Sequence, residues 1–445
     1  MLLEKETLEN DEKVGDIGSL YKYREEAKEV VIKDNTHANL AKFIDYDIAG
    51  PDKQKLFRFP WSINDNPIAW VEVTDKCNIY CNGCYRNRMD GHKTFEEIKN
   101  EILFMKRWRN VDNVYLAGGE PLIHPKIVEI VQFITDQKLK TSLISNGQAL
   151  DKELLKKLKK AGACEISFHV DSGQIRKGWS GKDELELIAL RQNFVDLLKK
   201  EGKVKCNFNM TVSKRNVKDV PETVQWVLDN RGKVGGLTII TLRGALLEDG
   251  VEYYANGKQV KLSKKDLGYV SDKDDRSAYI YSSDVYKLLK TNFKDYEAAA
   301  YLGGTQGHTA IKWLISISLC SGNKIVGALG PNAVKIYNFA HHLFKGNYSV
   351  GGNSPVGRSI FFLAPFDKGV RKVFWKFLAR PWLFFKKFYG FTISIVQPPD
   401  ILENGNIEMC DSCPDLTLYK GELVNSCRLD EVRLNGALME KIVIK

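Results

Sequence analysis

Between residues 67 and 243 six short apolar runs alternate with longer amphipathic ones, and no other feature of the chain limits its fold so strongly. The runs are "IAWVEVT" (68–74), "NVYLAGG" (113–119), "TSLISNG" (141–147), "EISFHVD" (165–171), "KCNFNMTV" (205–212) and "GLTIITLRG" (236–244). Helical spacing fills the gaps at 94–108, 125–137, 151–161, 183–200 and 219–230. The first of these opens with Thr94 and has Glu97 three residues on, a capping box. Strands that alternate with helices over this length predict parallel βα units. Right-handed crossovers bring the C-terminal ends of all the strands to one side, where such folds bind ligands. The chemically suggestive residues cluster on that side: three cysteines after the first strand, "GGEP" after the second, "SNG" after the third and "HVDS" after the fourth.

The flanks read differently. Residues 1–66 form an N-terminal extension and 67–243 the regular α/β domain. Residues 244–400 look irregular, Gly-rich in places and aromatic-rich near 360–391, and suit contact with a substrate, a partner or a membrane. Residues 401–445 form a small cysteine-bearing module. The 445 residues, 43% hydrophobic, supply a large core or two to three domains. No apolar window reaches the ~18 residues of a spanning helix, and "MLLEKETLENDEKVGDIG" is not an export signal. A cytoplasmic protein is expected. Nine cysteines in so large a chain predict metal ligands or buried thiols rather than disulfide staples. The net charge of +10 admits nucleic acid, an anionic membrane surface or anionic small molecules as partners.

Cys77, Cys81 and Cys84 lie in "TDKCNIYCNGCYRN" (74–87) with the spacing C-x3-C-x2-C. Zinc would ask for a fourth ligand, and the x3 spacing does not suit a common zinc knuckle. Three thiolates can hold three irons of a 4Fe–4S cube, which leaves the fourth iron open to a substrate or cofactor. With Tyr80 just before the second cysteine, the motif resembles the radical S-adenosylmethionine superfamily over roughly 67–243. That resemblance implies a partial (β/α)6 barrel of parallel strands, an enzyme, a 4Fe–4S cluster on Cys77, Cys81 and Cys84, and S-adenosylmethionine on the open iron. It also implies reductive cleavage to a 5′-deoxyadenosyl radical, an organic substrate, and a reducing partner such as ferredoxin or flavodoxin. "GGEP" (Gly118, Gly119, Glu120, Pro121) matches the segment that binds the methionine amino group. There the glycines let the backbone approach the ligand, and Glu120 offers a carboxylate to its ammonium. Asn146, Ser167 and Asp171 match segments that line the sugar and the substrate side, and "FNMTVSKRN" (208–216) resembles a segment near the adenine. No residue is singled out as catalytic, and oxidoreductase and transferase chemistry both stay open.

Cys410, Cys413 and Cys427 form a second triplet, C-x2-C-x13-C. A zinc ribbon would need a further ligand such as Cys320 or a histidine, and unrelated buried thiols are the other simple reading. The spacing resembles the auxiliary-cluster module of the molybdenum-cofactor GTP cyclases, which implies an auxiliary 4Fe–4S cluster. The resemblance stops at the cysteines. The chain ends "KIVIK" rather than in a Gly-Gly pair, and "PDLTLYKGELVNS" has one lysine and no arginine. The other cysteines, Cys164, Cys206 and Cys320, read as buried thiols.

"KGVRKVFWKFLARPWLFFKKFYG" (368–390) has seven Lys or Arg and no acid. Its aromatics fall near helical spacing, Phe374 and Phe377 and then Trp382, Phe385 and Phe388, with Pro381 placed to open a second helix. The pattern fits a membrane-surface segment or a domain-packing face, and ranks nucleic-acid binding below both. If it faces lipid, a lipid-like substrate and a peripheral position at the inner membrane surface follow. His169 reads as a hydrogen-bonded core residue ahead of a barrel residue near the radical. A radical maturase acting on a peptide is a second reading, and a non-catalytic Fe–S electron-transfer or metal-binding protein a third.

Overall fold

The computed structural model describes residues 43–86, 91–230, 232–242, 245–246, 251–261, 270–271, 278–306, 311–350, 357–402 and 406–444. Most of the 1–66 extension lies outside the described residues.

The alternation read from sequence is realised strand by strand. After β1 (Phe57–Arg58) come β2 (Ile68–Thr74), β3 (Asn113–Gly118), β4 (Lys140–Ser145), β5 (Glu165–His169), β6 (Lys205–Val212) and β7 (Val234–Thr241). Strands β2 to β7 lie side by side in chain order, each parallel to the next. They are joined by α1 (Phe95–Arg109), α2 (Ile127–Asp136), α3 (Lys152–Ala161), α4 (Ile188–Glu201) and α5 (Val220–Asp229). Thr94 and Glu97 close the capping box at the start of α1, a device worth about 1 kcal/mol.

Each strand divides its side chains between two faces. Val71, Leu116, Leu143, Ile166, Phe208 and Leu237 are at most 1% exposed and share a core with the helices. The residues between them face inward and are largely polar. Trp70, Tyr115, Ser142 and Glu165 stand in one cross-strand row. His169, Asn209 and Thr238 stand in another, nearer the strands' C-terminal ends. An apolar outside and a polar inside suit a barrel that lines a ligand chamber.

The sheet continues beyond β7. The region 244–400, which reads as irregular, supplies β8 (Ala300–Gly303), β9 (Ile311–Ser321), β10 (Lys324–Ala328) and β11 (Phe388–Val396). The sheet order is β2-β3-β4-β5-β6-β7-β11-β9-β8-β1, with β10 paired to β9. β11 runs parallel to β7, and β9 antiparallel to β11. The aromatic run 368–390 is therefore not two helices. It is α8 (Lys368–Ala379), a 3-10 turn opened by Pro381 (Pro381–Phe385), and the start of β11. Phe388 begins a strand because alternate residues from Tyr389 to Ile395 bury one face against the core. The remaining helices are α6 (Ser282–Asn292) and α7 (Pro331–Lys345). With α8, α7 builds a second apolar core around Phe59, Trp61, Val373 and Phe377. The segment 59–67 links β1 and β2, the two edges of the sheet. Among the described residues no helix is long and apolar enough to cross a membrane.

Candidate active site

β2 ends at Thr74, and the chain turns at once into the cysteine loop, where Cys77, Cys81 and Cys84 are all half-buried. Three neighbours hold the loop. The first is the end of β3. The Gly119 N–H donates to the Thr74 carbonyl at 2.7 Å, and the Glu120 N–H to the Lys76 carbonyl at 2.8 Å. A Cβ on Gly119 would lie 1.9 Å from the Lys76 oxygen, and one on Gly118 (φ 113°) 2.3 Å from the Thr74 oxygen. The close approach these glycines permit is thus chain to chain: it seats the cysteine loop. The second neighbour is the loop after β5. Tyr80 and Cys81 pair antiparallel with Ile175 and Gln174, and the Asn82 N–H donates to the Gly173 carbonyl at 2.8 Å. The third is the C-terminal module, which grips Tyr85 and Arg86.

The sequence-expected residues divide between structural and site positions. Glu120 is fully buried. Its carboxylate accepts from the Leu122 N–H (2.9 Å), the Ser145 hydroxyl and the Asn146 N–H (both 2.7 Å). Burial raises its pKa against those donors. Through these bonds Glu120, the residue expected to offer its carboxylate to a ligand ammonium, also ties β3 to the end of β4. Pro121 opens the 3-10 turn that Glu120 caps. Asn146 does reach the cysteine loop: its amide nitrogen donates to Asn78 Oδ1 at 2.7 Å and lies 3.8 Å from Cys77 Sγ. Ser167 donates to Asn209 Oδ1 at 2.9 Å on the inner face. Asp171 pairs with His169 Nε2 at 2.9 Å and accepts from the Thr211 N–H at 3.0 Å. Burial alone would raise Asp171, but His169 and Thr211 outweigh it and hold the carboxyl below its usual value. His169 also meets Thr211 Oγ1 at 3.1 Å, so it is hydrogen-bonded as expected, though only half-buried.

Arg176 was missed. It is 3% exposed, donates to the carbonyls of Asn146 and His169, and bonds Gln174 Oε1 at 2.7 Å. Burial lowers its pKa, opposed by Cys81, Asp171, Glu120 and Cys77, so the guanidinium lies among the thiols and carboxylates of the site. The available signal was its position, five residues beyond Asp171 in a loop on the strands' C-terminal side.

The second triplet also gathers. Cys410 hydrogen-bonds to Cys413, and this contact, with burial and the nearby Cys427, pushes its thiol well above the ordinary value. Buried cations adjoin all three: Lys312 beside Cys410, Arg109 beside Cys413 and Arg428 beside Cys427. The turn that carries Cys410 and Cys413 lies on the seam between the two sheet edges. Asp411 takes Arg58 Nε of β1 at 3.1 Å and exchanges hydrogen bonds with Gly303 of β8, both at 2.9 Å. On the other side Asn66 donates to the Ser412 carbonyl at 3.2 Å, and Arg109 to that of Cys413 at 2.7 Å. The hairpin β12 (Leu416–Tyr419) and β13 (Glu422–Asn425) then anchors to α1, with Thr417 donating to Glu101 at 3.0 Å. Of the other thiols, Cys206 and Cys320 are buried, whereas Cys164, just before β5, is half-buried.

Among the described residues no three His, Cys, Asp or Glu side chains surround a point suited to one metal ion. The donor chemistry of each triplet, three soft sulfurs with buried guanidinium or ammonium groups beside them, fits an anionic iron–sulfur cluster. Residues 71–227 match the Radical SAM superfamily. That segment is a radical SAM domain. The chain is similar to the AdoMet-dependent heme synthase of Methanosarcina barkeri, with 30% identity over 36% of this chain and 46% of the relative. It is 27% identical to a probable GTP 3',8-cyclase of Methanocaldococcus jannaschii, over 42% of this chain and 62% of that one. Streptococcus suis SuiB, solved bound to S-adenosylmethionine, aligns with 40% of this chain and 41% of its own at 20% identity and a TM-score of 0.33. The chain spans about half the length of the curated relatives it matches.

Proposed function

We propose that this radical SAM protein is an enzyme that reductively cleaves S-adenosylmethionine and uses the 5′-deoxyadenosyl radical to modify an organic substrate at the barrel mouth. The observation that carries the reading is the cysteine loop, gripped between the end of β3 and the 173–175 loop at the strands' C-terminal ends. Cys77, Cys81 and Cys84 would hold the 4Fe–4S cluster. When bound, the cluster supplies the electron that splits a carbon–sulfur bond of S-adenosylmethionine. Gly118 and Gly119 hold the loop in register. Asn146 and Arg176 present polar groups beside Cys77 and Cys81, where a charged ligand needs orienting. Ser167, Asp171 and the row His169, Asn209 and Thr238 line the way inward and would orient sugar and substrate. Cys410, Cys413 and Cys427 would hold an auxiliary 4Fe–4S cluster. A one-electron donor such as ferredoxin or flavodoxin is the implied partner.

A lipid-like substrate gains no support from the aromatic run, because α8 and the Pro381–Phe385 turn lead into the first residue of β11, at the end of the barrel away from the cysteine loop. A peptide substrate remains the second reading. The test is iron quantitation together with 5′-deoxyadenosine release under dithionite. Release above a Cys81→Ala control supports the enzyme, and iron without release would favour an electron-transfer or metal-binding protein.

A further inference from the structure

The proposed chemistry leaves one end of the molecule unused, the end where the parallel strands begin. There α7, the 3-10 turn Arg358–Leu363, α8 and the turn Pro381–Phe385 pack around Phe361, Phe374 and Phe377. Asp367 welds them: buried, it accepts from the N–H groups of Gly330 and Ala333 at 3.0 Å and from Val370 at 2.8 Å. Arg358 donates to the Lys386 carbonyl at 3.2 Å, and Asn332 to that of Phe366 at 2.9 Å. Three contacts fix which end this is. The turn precedes Phe388, where β11 starts parallel to β7. Ser321, the last residue of antiparallel β9, donates to the Leu383 carbonyl at 3.4 Å. Asn110, just before β3, donates to the Gly346 carbonyl after α7 at 2.6 Å.

The outward side of this assembly is apolar and basic at once. Phe385 is 91% exposed, Phe362 84%, Phe344 81%, Leu343 79% and Trp375 61%. Among the described residues, eleven of the eighteen exposed large hydrophobic side chains fall between 336 and 385. The sequence from 331 to 388 has ten Lys or Arg and a single acid, Asp367, which is 1% exposed and fully engaged. The acids that approach from outside are Asp295, paired with Lys376 at 2.5 Å, and Asp65, paired with His342 at 2.8 Å.

We propose that this face docks on an anionic lipid bilayer, with its aromatics in the headgroup boundary and its cations on lipid phosphates, and with the cysteine loop turned away into the aqueous phase. Bulky apolar groups and an excess of cations on one assembly of helices, with the neighbouring Asp295 and Asp65 already paired, are what an interfacial contact requires. A second copy of the chain fits poorly, since a two-fold interface would lay this basic face against itself. Single-stranded nucleic acid also fits less well, because Leu343 and Ile336 offer no ring for a base to stack on. The strands hold the cysteine loop roughly 25 Å from this end, so a docked protein would receive its substrate from water rather than from the bilayer. The proposal stands apart from the radical chemistry, and neither fails with the other.

The test is co-sedimentation of the full-length, cluster-loaded protein with phosphatidylcholine vesicles, with and without phosphatidylglycerol. The expected result is binding that needs phosphatidylglycerol, weakens with salt, and falls by about tenfold or more in Trp382→Ser/Phe385→Ser, from the lost apolar contact. Arg380→Gln/Lys386→Gln should lose the phosphatidylglycerol dependence. Thermal melts of both variants should match the parent, since these side chains are exposed. Hydrogen exchange on the vesicle-bound protein should slow within 336–386 and stay unchanged in 74–86. Any of four results overturns the proposal: no binding to either vesicle, binding indifferent to both variants, slowed exchange at 74–86, or a parent dimer or nucleic-acid complex that Trp382→Ser/Phe385→Ser dissolves.

Discussion

Arg86 and Asp430 form an ion pair at 2.8 Å with side chains only 4% and 3% exposed, so the loop after Cys84 and the helix after Cys427 are clasped inside the protein. Arg86 also meets Glu72 at 3.0 Å and Asp75 at 2.9 Å. Beside it the Ser426 hydroxyl donates to Glu72 and lies 3.4 Å from the Tyr85 oxygen. Burial works against the charge on Arg86, but Glu72, Asp430 and their neighbours outweigh it and hold the guanidinium pKa well above its ordinary value. The two cysteine triplets are therefore joined through residues adjoining one cysteine of each.

Arg86→Met should leave Glu72 buried without its cation and Asp430 with only Arg433, 3.6 Å away. Breaking a buried pair from one side costs about 3–5 kcal/mol, readable as a lower urea midpoint. Glu72→Gln/Asp430→Asn in the same background should recover part of the loss. A midpoint unchanged in Arg86→Met would show that the clasp contributes nothing.

The triplets should be separable by iron content. Cys81→Ala is expected to lose one cluster's iron and all 5′-deoxyadenosine release. Cys413→Ala should lose the other cluster's iron and keep release in the absence of substrate. If Cys413→Ala leaves iron unchanged, the C-terminal triplet holds no cluster.

Gly119→Ala drives a methyl group into the Lys76 carbonyl. Overpacking of this kind costs about 1–3 kcal/mol, and here the strain falls on the cysteine loop. Iron uptake by the Cys77, Cys81 and Cys84 triplet should drop, while the C-terminal triplet loads normally. Equal loss at both would mean general unfolding instead.

Asp219 has its carboxyl raised from 3.8 to about 6, chiefly by burial, with Lys218 opposing and Asp183, Glu184 and Glu222 adding. The folded state thus holds this proton more tightly than the unfolded chain. Its contribution is intact below about pH 4 and is lost as pH rises through about 6. Asp219→Asn should match the parent near pH 4 and melt higher above pH 6. A melting difference that grows toward acid would contradict this sign.

The six parallel strands were legible because each carries a buried outer face, so Val71, Leu116 and Ile166 announced themselves as period-two apolar residues bounded by turns. The cysteine loop was legible because spacing alone defines it. β11 was not, since its first residues continue an aromatic, basic run whose spacing imitates a helix until Gly390. Its place beside β7 depends on a partner far away in sequence. The work of Glu120 and of the two glycines could not be read either, because their partners, Ser145, Thr74 and Lys76, are set by how β2, β3 and β4 align. Arg176 belonged to no motif, and only folding of the 173–176 loop against Cys81 gives it a role.

The pairing of β11 with β7 bears on how this protein can be cut. A fragment ending near residue 242 would keep every residue of the cysteine loop, yet it would expose the whole edge of β7 as an open template for aggregation. It would also lose the Asp430 partner of Arg86. The matched domain of residues 71–227 is thus a unit of ancestry rather than a unit of folding. Chimaeras that exchange substrate preference should carry β8 to β11 along with the barrel and draw their boundaries in the exposed loops instead.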